Sequence, residues 1–582
     1  MSEYDIQEIK GDDKLIATAS VTSDIDDKST IKTTNTDVDD YVSKFIQLSN
    51  SAKNEDSKDK HMTLKEGLRT FPKAVFFSLV LSSCLILEGF DTNLLSSFWA
   101  LPGFCKKFGV EGPSGYQVPA KWQSAISMGY QSTQLIGLFF GGVLADAIGY
   151  RLTITPVLAV EMGFIFIQFF APTKEILLVS YLCCGLVYGS LQVLAVCYAT
   201  DVAPSCLRLY LTSFINIAWV IGQLISSLVL KGIESMSDPN AYRIAFAIQW
   251  FWPVPIMIGV FFAPESPYFL VRKGRLEDAK RSLNGLLSNN KYLPDKRLVI
   301  DSMVTKIQLV IKEEEITGKG ATFKECFTGA NFRRTRIAAI VWVIQNVTGA
   351  SLMGYSTYFY QQAGLDVSMS FTFSIIQYVL GMIGTVGSWV ISRKLGRFSI
   401  FFSGLCVMLV LLLITGGLGC AHSKSASWGI GSMLLVYTFV YDLTIGPIIY
   451  CIVAEIPSAK LRQKTVMMAR FAYNVAGIVV SIISSYMLNP TAWNWGAKSA
   501  FLWAGLAFMA VTWAFFEVPE TRNRTIAELD KLFEEKVPAR KFKSTEVNTF
   551  DVGEMMERLG NDGIKDVVNE RKHIEYVDEE TK

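Results

Sequence analysis

The chain has 582 residues, of which 50% are hydrophobic and only 19% are charged, and its 55 Lys and Arg against 53 Asp and Glu leave a formal net charge of +2. This composition is typical of a protein that crosses a membrane many times, and it lacks the basic excess of a nucleic-acid-binding protein. Only three histidines are present, and the ten cysteines follow no CxxC pattern, which argues against a His-built catalytic triad, a metal centre and a disulfide framework.

The chain begins and ends with polar segments, which we assign to cytoplasmic tails at 1–70 and 519–582. The first tail is rich in Asp, Ser, Thr and Lys, and such a composition cannot bury a core. It also lacks the apolar stretch of a secretory signal peptide. We expect the first tail to be disordered, and both tails are candidates for regulatory modification.

Between the tails, twelve stretches are long and apolar enough to cross a bilayer as helices. Six of them form a predicted N-terminal bundle over 71–263, at about 72–98, 121–145, 152–171, 176–199, 209–230 and 243–263. Six more form a predicted C-terminal bundle over 335–518, at about 335–361, 370–392, 398–419, 429–452, 464–488 and 498–517. A basic linker with helical character, 264–334, joins the two. The sequence therefore predicts an all-α membrane protein with twelve transmembrane helices in two six-helix repeats.

Lys and Arg are concentrated in the even-numbered connections between these spans, including the linker. Connections rich in Lys and Arg stay in the cytoplasm. This predicts a multi-pass protein with both termini in the cytoplasm.

The two halves carry matching motifs at matching places. The pairs are 146–151 after span 2 with 393–397 after span 8, 201–208 after span 4 with 455–462 after span 10, and the PES sequence at 264–266 after span 6 with the PET sequence at 519–521 after span 12. Two parallel repeats around a central cavity, with the substrate near the membrane midplane, are an architecture of secondary transporters.

These motifs, with Gln345–Gly349 and Gly446-Pro447, resemble the sugar-porter branch of the major facilitator superfamily. Further stretches are similar to the fungal maltose/α-glucoside permeases, at 88–92, 98–102, 354–359, 369–378 and 493–499. The resemblance covers about residues 70–540. It implies a plasma-membrane transporter that imports an α-glucoside such as maltose by proton symport with alternating access.

Four ionisable residues inside the spans are candidates for proton coupling, because a charge in hydrocarbon costs on the order of a few kcal/mol. They are Asp91, Glu88, Asp442 and Arg470. Glu88 and Asp91 are three residues apart on span 1 and share a helix face, where two carboxylates cannot both ionise easily. The resemblance implies that Asp91 binds the proton and that Arg470 belongs to the coupling machinery. The alternative for the carboxylates is that a neighbouring hydroxyl or Arg holds them and that they serve packing only. The alternative for Arg470 is that its side chain extends toward the cytoplasmic end of span 11.

Two positions depart from the resembling family. Tyr181 stands where many proton-coupled sugar porters have an Arg, and Gln134 stands where related permeases have a Glu. Glu161 in span 3 and Asp442 in span 10 are candidates to compensate for these changes, and the alternative for Glu161 is a protonated acid that faces lipid. The departures leave a proton-independent facilitator or hexose carrier open, and a sugar receptor without transport is a further alternative.

A sugar needs amides and hydroxyls that both donate and accept hydrogen bonds, beside an aromatic wall. Candidates occur in spans 5, 7, 10 and 11, and two of them, seven residues apart, lie on one face of span 5. The predicted sugar ligands are Asn216, Gln223, Gln345, Tyr355, Tyr358, Tyr450 and Asn474. The alternative for each is a hydrogen bond between helices.

The repeated motifs also supply candidate gating residues at the cytoplasmic ends of the spans. These are Asp146, Arg151, Asp201, Arg208, Glu265, Arg397, Glu455 and Arg462. We expect them to pair across spans or with the linker helices, to hold the outward-facing state and to separate on inward opening. Since no phosphate-binding loop or catalytic motif is present, we expect no enzyme activity, cofactor, metal or nucleic acid. The expected partners are a sugar, a proton and the lipid bilayer.

Overall fold

The computed structural model describes residues 62–545 apart from 113–114, 237, 289–295, 319–321, 422, 459–460, 491, 523 and 525. Most of both predicted tails, and the predictions made for them, therefore lie outside the described residues. A short helix, Leu64–Thr70, precedes the first span and is capped by Thr63, whose hydroxyl accepts from the Glu66 backbone amide.

The N-terminal bundle contains six spans, two of which are broken into two helices. Span 1 is Pro72–Ser82 and Cys84–Phe98, and span 6 is Tyr242–Gln249 and Pro253–Phe262, where a proline begins the second piece. The unbroken spans are span 2 (Ala120–Ile148), span 3 (Tyr150–Phe170), span 4 (Lys174–Val202) and span 5 (Ser205–Ile233). Spans 1 and 2 are joined by a helix, Pro102–Phe108, and by two antiparallel strands, Val110–Gly112 and Gly115–Gln117.

The C-terminal bundle repeats this arrangement. Span 7 is divided into Gly329–Gln345, Asn346–Ala350, Ser351–Gly354 and Ser356–Gln362, and span 10 into Lys424–Leu443 and Ile445–Glu455. The others are span 8 (Val367–Lys394), span 9 (Arg397–Leu418), span 11 (Arg462–Leu488) and span 12 (Gly496–Ser499 with Ala500–Glu517).

Further helices cover one end of the bundles, which we call the linker face because the 264–334 linker lies there. The linker forms Pro267–Arg272, Leu276–Leu286, Lys296–Gly318 and Phe323–Phe327, and the segment after span 12 forms Ile526–Glu534 and Ala539–Lys541. The other end of the bundles is called the opposite face.

Eleven of the spans are long and apolar enough to cross a membrane by length and composition. Span 2 is the twelfth, and its 29 residues are long enough for a crossing. It is less apolar because it carries several Gln, Ser and Thr side chains, and it packs against spans 4 and 11. The predicted twelve-helix, two-repeat fold is therefore confirmed.

Glycines allow the helices of the N-terminal bundle to approach closely. A Cβ at Gly137 in span 2 would lie 1.9 Å from the Leu186 carbonyl oxygen in span 4, and a Cβ at Gly189 would lie 2.0 Å from the Gln134 carbonyl oxygen. Small residues at such crossings are how membrane helices gain packing energy. This contact brings the polar side chains of spans 2 and 4 together beside span 1.

The two glutamates of the PES and PET motifs occupy equivalent places at the linker face. Glu265 accepts hydrogen bonds from the backbone amides of Tyr150 (2.9 Å) and Arg151 (3.1 Å) at the start of span 3. Glu520 accepts from the backbone amide of Arg397 (2.8 Å) at the start of span 9. A carboxylate at a helix N-terminus satisfies free amides and the helix dipole.

The hydroxyl after each glutamate continues the repeat. Ser266 Oγ donates to Asp201 Oδ2 at 2.6 Å, and Thr521 Oγ1 donates to Glu455 Oε2 at 2.5 Å. The internal repeat predicted from the sequence is thus a repeat of hydrogen bonds that ties spans 3, 4 and 6, and spans 9, 10 and 12, together.

Candidate functional site

The two bundles meet along spans 2 and 11 and along spans 5 and 8. Near this interface span 7 leaves helical geometry at Thr348 (φ −92°, ψ 17°) and Gly349 (φ 99°, ψ 10°), and span 10 does so at Thr444. The Tyr437 hydroxyl donates to the Thr348 carbonyl at 2.7 Å and so satisfies a backbone group at the break. Broken helices near the midplane are a feature of transporter substrate sites.

The break in span 7 depends on Gly349. Its φ of 99° is left-handed, and an added Cβ would lie 3.1 Å from a Leu412 methyl and 3.2 Å from the Tyr437 hydroxyl. We expect Gly349→Ala to destabilise the protein by at least about 1–2 kcal/mol, the cost of a left-handed non-glycine residue. Thermal unfolding of the detergent-solubilised protein measures this effect.

A matched control is Gly505→Ala in span 12, where the added Cβ meets nothing within 4 Å. Alanine there should be neutral or stabilising by about 0.5–1 kcal/mol, because glycine weakens a helix interior. Equal unfolding temperatures for the two variants would show that the break does not need glycine.

Glu88 lies among amide side chains from spans 2 and 4. Gln134 Nε2 donates to Glu88 Oε1 at 2.8 Å, and Gln192 Nε2 donates to the same oxygen at 2.5 Å. The side chain of Glu88 is buried, and its second oxygen makes no hydrogen bond to the part of the chain that the structure describes. Gln134, which replaces the family's acid, is therefore a direct hydrogen-bond donor to an intramembrane carboxylate.

Gln192 also reaches the other bundle. Its Oε1 accepts from Arg470 Nη2 at 2.5 Å, so Glu88, Gln192 and Arg470 form one chain from span 1 through span 4 to span 11. The Arg470 guanidinium lies over the rings of Trp342 and Tyr473, at 5.3 and 4.6 Å from their centroids. Arg470 therefore points into the interface between the bundles and does not reach for the end of the span.

Asp91 has different neighbours. It is fully buried, with 0% exposure, and neither oxygen makes a hydrogen bond of normal length to a described residue, although the amides of Gln168 and Gln249 lie beside it. Tyr181 lies within Coulombic range, at the place of the family's arginine. Asp91 and Glu88 do interact electrostatically, as predicted, but Asp91 faces spans 3 and 6.

Asp442 lies at the interface between spans 5, 8 and 10. Its Oδ1 accepts from Asn216 Nδ2 at 3.3 Å, and the same amide donates to Thr385 Oγ1 at 3.2 Å. Asn216, predicted as a sugar ligand, therefore makes a hydrogen bond between helices in this conformation. Asp442 is buried, and the bond joins it to the opposite bundle.

The other predicted sugar ligands divide into two groups. Tyr355 donates to Ser127 Oγ at 3.0 Å, and Gln223 is buried beside Asn93, which donates to the Gln223 carbonyl oxygen. By contrast, several buried polar atoms have no hydrogen-bond partner among the described residues. These are Gln345 Oε1, Tyr358 Oη and Asn474 Nδ2, with Ser351 Oγ on the same span as Gln345.

An aromatic wall stands near Gln345 and Asn474, whereas Tyr358 lies apart from it, beside Gln123 and Cys105. Trp342 packs edge-on against Tyr450 (6.0 Å, 87°) and at an angle to Tyr473 (6.3 Å, 48°). Tyr450 was predicted from the sequence, whereas Trp342 and Tyr473 were not. Both could have been found from their positions in the sequence, because Trp342 is three residues before Gln345 and Tyr473 is next to Asn474.

Hydrogen bonds between the bundles close the opposite face. Ser97 and Thr357 hydroxyls lie 3.1 Å apart, and Tyr378 Oη donates to Asn93 Oδ1 at 2.8 Å. Lys231 Nζ donates to the Ser368 carbonyl at 2.8 Å. The sequence analysis did not identify these residues, because single Ser, Thr and Asn side chains in apolar helices are common.

The predicted gating residues pair at the linker face within each bundle. Asp146 pairs with Arg272 of the linker (3.8 Å), and Arg397 pairs with Glu455 (3.3 Å). Arg151 packs its guanidinium over Phe261 at 4.9 Å. The contact of Asp146 joins span 2 to the linker, and the contact of Arg397 joins spans 9 and 10. The side chains of two further candidates lie outside the described part of the structure, namely Arg208 and Arg462.

None of these described linker-face contacts joins one bundle to the other. That such pairs hold the outward-facing state and separate on inward opening stays a prediction. Because each cluster fastens the ends of spans within its own bundle, it makes that bundle rigid.

The chain matches the family model described as sugar (and other) transporter over residues 77–533. It is 42% identical over 512 residues to a general alpha-glucoside permease of Saccharomyces cerevisiae, which covers 87% of this chain and 83% of that protein. It is also 42% identical over 521 residues to the maltose permease MAL31 of the same species, covering 89% of this chain and 84% of that one.

Solved structures of the xylose transporter XylE from Escherichia coli share the fold. An inward-open form has a TM-score of 0.63 at 19% identity and covers 79% of this chain and 99% of its own. A form bound to 6-bromo-6-deoxy-D-glucose has a TM-score of 0.62 at 20% identity and covers 80% of this chain and 100% of its own. At this identity the likeness concerns the fold.

Proposed function

Since this chain belongs to the sugar transporter family, we propose that it imports α-glucosides of the maltose type by proton symport. The names of its relatives as permeases for α-glucosides and maltose support the substrate class and a transporter that is not an enzyme. In this proposal the linker face, with its Lys and Arg, and both termini lie in the cytoplasm, and the membrane is the plasma membrane.

The observation that carries the coupling proposal is the chain Glu88–Gln192–Arg470. It puts a titratable carboxyl of one bundle in contact, through one amide, with a fixed positive charge of the other. When Glu88 gains a proton, its negative charge is lost and the attraction across the interface weakens. Proton binding thereby changes how firmly the two bundles are held together, which is what coupling to a rocking motion requires.

Asp91 and Asp442 complete the proposed coupling set. No cation is among the described groups that interact with Asp91, so a bound proton removes the cost of its buried charge. Asp442 joins span 10 to Asn216 of the other bundle. In this proposal the structure, whose bundles are joined by hydrogen bonds at the opposite face, is a state closed to the outside.

In this proposal the sugar binds beside the aromatic wall, where Gln345 and Asn474 offer their free polar atoms, and Tyr358 lies farther along span 7, beside Gln123. Amide and hydroxyl groups match sugar hydroxyls, and Trp342 and Tyr450 offer ring faces. Asn216 and Tyr355 join this set when the bundles separate and their present hydrogen bonds break.

Replacing Gln345 tests the sugar site directly. Gln345→Ala removes a buried amide with a free oxygen, and we expect sugar binding to weaken about tenfold, or roughly 1.4 kcal/mol. Equilibrium binding of labelled maltose to the purified protein measures it. Gln362→Ala, a half-buried amide at the end of span 7, is the control and should leave the dissociation constant unchanged. Equal loss in both variants would move the sugar away from span 7.

Uptake of labelled maltose by cells that lack other carriers tests the substrate class. Competition by unlabelled α-glucosides, and much weaker competition by glucose and xylose, is the expected result. Competition by glucose alone would identify a hexose carrier. Surface binding without entry would identify a receptor.

A proton-independent facilitator is the second candidate. It is favoured by Gln134, which cannot titrate, and by Tyr181, which gives Asp91 no positive partner. Regulatory modification of the tails stays a prediction, since 1–61 and 546–582 lie outside the described residues.

A further inference from the structure

A third carboxyl is buried inside the N-terminal bundle, on span 3. Glu161 has 0% exposure, and neither of its oxygens makes a hydrogen bond of normal length to a described residue. It does not face lipid, which corrects one of the two alternatives drawn from the sequence. A carboxyl in this position needs an account, because a buried charge without partners costs several kcal/mol.

The surroundings of Glu161 contain acids, hydroxyls, thiols and amides. Spans 1 and 4 contribute Asp91, Tyr188 and the thiols of Cys183 and Cys184, all within electrostatic reach of Glu161. No Lys or Arg is among the described groups that interact with it. An ionised Glu161 would therefore face the ionised Asp91 without a cation to offset either charge.

Spans 2, 3, 4 and 6 contribute further polar side chains to the surroundings of Glu161. Gln249 Nε2 donates to Tyr188 Oη at 2.9 Å, which leaves the Tyr188 hydroxyl proton free for Glu161. Tyr181 is fully buried and its hydroxyl has no described hydrogen-bond partner. The remaining members are Gln168 beside Asp91 and Tyr130, whose ring packs against Tyr181 and Tyr188.

We propose that Glu161 is a further proton-binding group and that, with Asp91, it forms a two-carboxyl proton site enclosed by spans 1, 3, 4 and 6. In this site a proton on Glu161 takes the place of the positive charge that Tyr181 does not provide. Each step is the binding of one proton to one carboxylate oxygen, and the carboxylic acid that forms carries no charge. Two carboxyls this close share protons, so their titrations are coupled.

This inference rests on the proposed proton symport for its role, but its central claim concerns protonation and is tested without sugar. Infrared spectra of the full-length protein in liposomes report the carbonyl stretch of protonated carboxyls. We expect Glu161→Gln to remove part of that band at neutral pH. Glu175→Gln, an exposed acid at the start of span 4, is the matched control and should leave the band unchanged.

Transport gives the second readout. Proton-driven maltose accumulation by Glu161→Gln should have a displaced pH profile, and Glu161→Asp, which keeps a titratable group, should restore the wild-type profile in part. If Glu161→Gln fails to fold, Glu161→Asp takes its place in the test. Because aspartate keeps a carboxyl at this position, we expect this variant to retain the infrared band. Spectra identical for wild type, Glu161→Gln and Glu175→Gln from acidic to mildly alkaline pH would overturn the inference. A wild type that shows the Glu161 band but takes up no sugar would contradict the proposed function and leave the proton site standing.

Discussion

Asp91→Asn is expected to abolish uphill accumulation of maltose while exchange of labelled for unlabelled sugar across the membrane continues. Asparagine has nearly the same shape but cannot bind and release a proton, so the buried position is kept permanently neutral. Net uptake against a gradient needs the proton cycle, whereas exchange needs only the reorientation of the loaded carrier. The accumulation ratio should fall to about that of free equilibration.

The comparison that makes this result specific is Asp366→Asn. Asp366 is an exposed acid just before span 8, so the same chemical change there should leave accumulation unchanged. If Asp91→Asn accumulates sugar as well as Asp366→Asn does, the assignment of the proton to Asp91 is wrong.

Removing the amide of Gln192 should uncouple the two bundles. Gln192→Met keeps a side chain of similar length but deletes both hydrogen bonds, the one to Glu88 and the one from Arg470. Hydrogen bonds to charged groups are worth about 1.5–3 kcal/mol, so a loss of tenfold or more in the accumulation ratio is expected. Arg470 would keep its contacts with the rings of Trp342 and Tyr473 but lose its hydrogen bond toward span 4.

Gln134→Met separates the link across the interface from support of Glu88 alone. Gln134 donates to the same Glu88 oxygen but stays within the N-terminal bundle. We expect a clearly smaller loss, because the contact between Glu88, Gln192 and Arg470 survives. Equal losses in the two variants would mean that Gln192 serves only to hold Glu88, and the account of coupling would need another link between the bundles.

The twelve spans could be predicted because the hydropathy and the length of a helix indicate directly whether it lies in lipid or in water. The repeat could also be predicted, since PES and PET follow the last span of each half, and in the structure Glu265 and Glu520 form equivalent helix caps.

The residues of the site were harder to predict from the sequence than the spans and the repeat. Charged residues such as Glu88 and Arg470 stand out in apolar helices, but Gln192 does not, because a lone amide in a span usually makes an ordinary contact between helices. Its function depends on two partners, from spans 1 and 11, that are distant in the sequence. Asp91 and Glu88 were expected to act together on one helix face, yet three residues are enough to turn their side chains toward different neighbours.

The burial of Glu161 could not be predicted from the sequence. Gln168, seven residues after Glu161 on the same face of span 3, is the one polar signal near it, and by itself it does not distinguish a lipid-facing acid from an enclosed one. The packing of spans 1, 3, 4 and 6 encloses it. The gating pairs were predicted as residues, but whether a pair joins two bundles or two spans of one bundle depends on the tertiary arrangement.

Maltose uptake with simultaneous recording of external pH tests the central claim most directly. Cells lacking other carriers are given labelled maltose with and without a protonophore. The account predicts accumulation above the external concentration, alkalinisation of the medium on addition of maltose, and loss of accumulation with the protonophore. Uptake that only equilibrates, with no change of pH and no effect of the protonophore, would contradict proton symport and identify a facilitator.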